Sequence, residues 1–138
     1  MPRPLSDADY RRLLEFRTGL RRFERWSQER AAEVDLTPAH HQLILAIRGH
    51  PDDRGPTIGD VADYLQLRHH SVVGLVDRAA AAGLVGRIDD PADARVVRLS
   101  LTPMARRRIE SLAAAHVEEL SRLVPELRAM WDGLHDGG

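Results

Sequence analysis

Apolar residues recur at helical spacing along most of the chain and give way to alternation in one short stretch. Tyr10, Leu13, Leu14, Leu20 and Phe23, extended by Trp26, Ala31 and Val34, draw a single stripe that predicts a long helix over residues 6–33. Ser6 stands where an N-cap would, and Asp7 and Asp9 suit the positive end of such a helix. Leu36-Thr37-Pro38 restarts the chain, with Thr37 as N-cap and Pro38 at the first helical position. Leu43, Ile44, Leu45 and Ile47 are then expected to face a core, up to about Gly49, and residues 50–56 are a loop by composition.

Residues 57–101 organise the rest. Thr57, with Asp60 three residues on, opens a helix carrying Ile58, Val61, Ala62 and Leu65. Leu67 closes a turn. A second periodic run from His69 carries Val72, Leu75, Val76 and Ala79, and Gly83 stops it as a C-cap glycine would. Residues 87–89 and 96–101 read as paired strands around the turn-forming tip Asp89-Asp90-Pro91-Ala92-Asp93-Ala94. Thr102-Pro103 then opens another helix through Ile109, Leu112, His116, Val117, Leu120 and Leu123. Pro125 is expected to break or kink it, leaving Leu127, Met130, Trp131 and Leu134 on a final short helix.

A helix-turn-helix followed by a hairpin wing is an arrangement that reads DNA, its second helix entering the major groove. The outer stripe of that second helix holds Arg68, His69, His70, Ser71, Val73, Gly74 and Asp77. Arg, His and Ser reach phosphates and base edges, Val73 suits a thymine methyl, and Gly74 permits close approach. The same helix pair also occurs as a plain αα-corner.

The motifs in residues 36–103 resemble the MarR family of winged-helix transcriptional regulators. The likeness rests on Leu36-Thr37-Pro38, the Leu65 to Val85 unit with Val76-Asp77-Arg78 and Gly83-Leu84-Val85, the tip Asp90-Pro91-Ala92-Asp93-Ala94-Arg95, and Leu99-Ser100-Leu101-Thr102. It implies a mainly α fold with a small β-wing (α+β). In it a winged helix-turn-helix lobe (37–101) lies between N- and C-terminal dimerisation helices (1–35 and 102–138), all within one unit spanning 1–138. The long terminal stripes, which the lobe does not need, independently suggest a homodimer. Two-fold symmetry would then match an inverted-repeat operator. Arg78, Arg95 and Arg98 join the outer stripe as expected DNA contacts. Arg95 at the protruding tip suits a narrow, electronegative minor groove, with Asp93 or Asp90 steadying it. One departure stands out: Arg68-His69-His70 occupies a stretch where the family usually has a Ser- or Thr-like cap. Either Ser71 caps the helix or its first turn is uncapped.

Composition sharpens this picture only in places. The net charge is −1, and residues 57–101 hold five Arg against six Asp, so a globally basic DNA binder is excluded. Local charge differs: residues 94–109 hold five Arg and no acid, although Arg106 to Arg108 are equally read as a solvated helix face. The absence of cysteine removes disulfides and thiol chemistry. No apolar run reaches membrane-span length and no leader is visible, which points to the cytoplasm.

The seven histidines raise a metal site as the rival, but adjacent pairs such as His40-His41 and His69-His70 point about 100° apart on a helix, and none is spaced i, i+4. Neither metal nor cofactor is expected, and no catalytic motif supports an enzyme. His41 is read as a packed core histidine or as part of an effector pocket with Arg17, Arg22, Phe23 and Trp26. The second reading follows the resemblance, because MarR-type regulators commonly bind small aromatic acids and release DNA in response. Trp would stack on a ring and Arg would pair with a carboxylate. The rival from another class is a winged-helix dimer used for protein–protein contact without specific DNA binding.

Overall fold

A computed structural model describes residues 3–135. Residues 1, 2 and 136–138, the extreme ends of the expected dimerisation segments, lie outside the described residues. In order come α1 (Asp7–Glu33), α2 (Pro38–Gly49), α3 (Ile58–Leu65), α4 (His69–Ala81), β1 (Val85–Asp90), β2 (Asp93–Leu101) and α5 (Pro103–His135). The fold is mainly helical with one two-stranded antiparallel sheet, as expected. Two compact units are present. Ala31–Leu112 form the winged unit, and the chain up to Arg30 together with that from Ala113 forms a helical unit.

In the winged unit, local chemistry starts and stops each helix. Thr37 Oγ1 accepts the His40 N–H at 3.1 Å, capping α2 behind Pro38. Thr57 and Asp60 form a reciprocal capping box on α3, with side chain-to-amide distances of 2.9 and 3.1 Å. Gln66 takes the left-handed conformation (φ 54°) that turns the chain, and the Leu67 N–H returns to the Ala62 carbonyl. At the end of α4, Gly83 (φ 75°) lets its own N–H reach Ala80 and the Leu84 N–H reach Ala79, closing the helix as its position in the sequence predicts.

Leu43, Ile44, Val61, Val72, Val76, Leu84 and Leu99 are sealed in one core. Each such side chain stabilises the unit by roughly 1.5–3 kcal/mol. Ala31, Leu36, Ala105, Ile109 and Leu112 share that core, so the unit is wider than residues 37–101. Leu45 is a correction: it is 53% exposed, on the outer side of α2. The strands are also longer than expected and pair Val85 with Leu101 through Asp89 with Val97, before the register shifts at Asp90.

In the helical unit, Ser6 caps α1 by accepting the Asp9 N–H, and the buried Asp9 carboxylate accepts the Ser6 N–H and pairs with Arg3. Arg12 donates to the Gly133 carbonyl, and a Cβ on Gly19 would come within 3.1 Å of Leu127, while Ser27 meets His116. These contacts run α1 antiparallel to α5. The expected break at Pro125 does not occur, because α5 continues through it to His135. Proline removes one main-chain donor, and the side-chain contacts to α1 on both sides of it hold the helix together. Among the described residues, no helix is long and apolar enough to cross a membrane.

Candidate nucleic-acid interface

Helix α4 is anchored by Val72, Leu75, Val76 and Ala79, which points the opposite stripe outward. Arg68, His69, His70, Ser71, Val73 and Arg78 are exposed there, and Gly74 is half-buried. Arg68 occupies the N-cap position without a side-chain hydrogen bond, so the uncapped alternative is the one found and Ser71 does not cap. An uncapped N-terminus ringed by Arg68, His69 and His70 leaves N–H groups available for a phosphate. Gly74 gives room to its neighbour: a Cβ there would sit 3.3 Å from Arg78 Nη1. His40, to which the sequence assigned no role, lies near Arg78. Burial first, then that charge, holds its imidazole below the usual value, keeping it neutral.

The wing projects a second charged element. Asp90 Oδ1 accepts the Ala92 N–H and Asp93 Oδ1 accepts the Arg95 N–H, which shapes the tip. Arg95 extends from it with its side chain 90% exposed, paired to Asp93 at 3.1 Å. Such an exposed pair is worth little in water, so the guanidinium is free to exchange Asp93 for phosphate. Asp77 of α4 and Arg87 of β1 form an ion pair that joins the reading helix to the wing.

Arg98 is a correction. Its Nε donates to Asp90 at 2.8 Å and its Nη1 to the Gly55 carbonyl at 3.0 Å, with the side chain only 15% exposed. It braces the wing against the α2–α3 loop rather than facing a ligand. The Arg98 guanidinium, then the Ala92 N–H, hold the Asp90 carboxyl below the ordinary carboxylate range. A depressed folded value stabilises the fold above that range, and the stabilisation is lost as pH falls through it. Asp90→Asn is therefore expected to lower Tm at neutral pH and to flatten the acid side of the Tm–pH curve below about pH 4. An unchanged acid slope in thermal melts would contradict the brace.

A sequence profile described as MarR family matches residues 34–96. These residues are similar to the MarR family. Over 64 residues the chain is 38% identical to an uncharacterized HTH-type transcriptional regulator, YsmB, of Bacillus subtilis (strain 168), a stretch covering 46% of this chain and 44% of YsmB. The match thus spans less than half of that relative. The structure of the S. aureus MepR–DNA complex superposes with a TM-score of 0.71 at 22% identity, covering 89% of this chain and 93% of that one. That of a mutant E. coli MarR complexed with operator DNA gives 0.64 at 22% identity, covering 80% and 75%. At this identity they establish that the MarR-type lobe and its flanking helices share the fold.

The residues singled out for an effector fall in both units. Arg22, Phe23 and Trp26 line a groove of about 560 Å³ in the helical unit, between α1 and α5. Arg17 is exposed, and His41 is a half-buried residue of the winged unit. The imidazole beside the aromatic pair is His116. Its ring centroid lies 4.9 Å from Trp26 and 5.9 Å from Phe23, and its Nε2 is 2.6 Å from Ser27 Oγ. The sequence showed His116 only as one position in an apolar stripe. Its partners lie 89 to 93 residues away, so nothing local could reveal it.

Proposed function

We propose that this chain is a transcriptional regulator that binds operator DNA as a homodimer, most simply as a repressor released by a small ligand. The observation that carries this is the α3–α4 pair and wing: an exposed Arg68-His69-His70-Ser71 edge and a protruding Arg95, on a MarR-type lobe. Both structural neighbours named above are DNA complexes, which supports the reading. Helix α4 would lie in the major groove and Arg95 in the adjacent minor groove, with Arg78 on the flanking phosphates.

A partner is called for by the helical unit, where Leu13, Leu14, Leu20, Val117, Leu120 and Trp131 all remain exposed. A second copy would cover them and set two reading helices about one DNA turn apart. The groove with Phe23 and Trp26 supplies faces for an aromatic ring, and Arg22 a partner for its carboxylate. Trp26→Ala is expected to weaken binding of such an acid about tenfold while leaving the dimer intact. Equal affinity by calorimetry would remove the groove from the effector reading.

Arg95→Ala is expected to weaken binding to operator and scrambled duplex alike, by roughly tenfold, and to lower the salt slope by about one. Fluorescence anisotropy at two salt concentrations reads both quantities. An undiminished affinity would mean that the wing does not touch DNA, as in a dimer serving only protein contacts.

A further inference from the structure

Two titratable side chains, His69 and His70, open α4, the helix whose outer stripe forms the candidate interface. Both are exposed, and neither has a hydrogen-bond or ion-pair partner among the described residues. The first turn of α4 contains no acidic residue, and Arg68 precedes it without capping it, so the leading amides meet no side-chain acceptor. The elements packed around this turn do not supply a carboxylate either. Helix α3 brings Asp60, engaged in its own capping box, and Asp63, exposed in its last turn, and neither forms an ion pair with His69 or His70. Helix α2 brings the half-buried His40 and His41, with His40 beside Arg78. On the wing, Arg95 is paired with Asp93, and Arg87 with Asp77 of α4. Imidazoles titrate close to neutral pH, and a phosphate oxygen set against one favours the charged form. Contact and protonation then reinforce one another.

We propose that His69 and His70 grip DNA phosphates as imidazolium ions, so that the chain takes up protons as it binds and its affinity for DNA is set by pH between about 6 and 8. This rests on the DNA-binding reading of α4. The direction follows from linkage: the bound state favours the charged form, so the added affinity is present on the acid side and is lost as pH rises through neutrality. A neutral imidazole still donates one N–H, so binding weakens at high pH without vanishing. Arg68, Arg78 and Arg95 stay charged throughout this window and contribute a constant background. His40 does not share the role, because burial and Arg78 hold it below the ordinary imidazole range. In a two-fold dimer each operator would meet two such pairs.

The test is fluorescence anisotropy of the full chain on a scrambled duplex at about pH 6, 7 and 8 and fixed ionic strength. The parent chain is compared with His69→Asn/His70→Asn, which keeps a donor at each position without a titrating group. Parent affinity is expected to rise at least about tenfold from the highest to the lowest pH, and that of the variant by less than about threefold. The salt slope of the parent should steepen by about one or more over the same range, because each imidazolium displaces a further counterion, while that of the variant stays constant. Calorimetry at neutral pH in two buffers of different ionisation enthalpy should count proton uptake by the parent and close to none by the variant. The proposal is overturned if parent and variant share one pH dependence, or if the parent binds with equal affinity at all three values; either result leaves the DNA-binding reading standing. A parent that takes up no proton on binding overturns it whatever the variant does. Absence of binding to any duplex at every pH would remove the DNA-binding reading along with it.

Discussion

Replacing Gly55 with alanine is expected to cost the winged unit at least about 3 kcal/mol. The backbone there has φ 91°, a conformation that side chains with a Cβ rarely adopt. A Cβ would also stand 2.1 Å from the Leu99 carbonyl oxygen, a main-chain atom that moves only if β2 moves. The Gly55 carbonyl is at the same time the acceptor that holds Arg98, so a displaced loop would release the brace between the loop and the wing. Thermal and urea melts should show the loss in full, and hydrogen exchange should place it in β1 and β2. A change under about 1 kcal/mol would mean that the loop can shift without disturbing the strand.

Val73→Glu should have the largest effect on DNA. The side chain is 36% exposed on the outer stripe of α4, with Val72 and Val76 holding the other side in the core, so the fold should accept it. The new carboxylate would stand in the major groove between phosphate backbones, with loss of apolar contact. Affinity is expected to fall by at least about a hundredfold on operator and to drop on scrambled DNA as well. Circular dichroism and Tm should stay close to those of the parent chain. Retained affinity would show that this face of α4 does not meet DNA.

Much of this was legible because it is local. Thr37-Pro38, Thr57 with Asp60, and Gly83 each act within four residues, and each sits where the sequence placed it. The misread features depend on distant partners. Arg98 looks like a cation on a wing strand until Asp90, eight residues away, and the Gly55 carbonyl, 43 away, are seen to hold it. His116 joins Trp26 only because α5 returns along α1. Pro125 signals a break, and the side-chain contacts between α1 and α5 override that signal. Leu45 fits the apolar count of α2, yet the core accepts only the narrower stripe of Leu43, Ile44 and Ile47.

The central claim is sequence-specific DNA binding, and its most direct test is a salt-dependent affinity measurement. The purified chain would be titrated with the intergenic duplex upstream of its own gene and with a scrambled duplex of equal length. Affinity should fall linearly in log–log form as salt rises, with the native duplex preferred by more than about a thousandfold at physiological salt. Equal, weak binding to both duplexes at every salt concentration would contradict it.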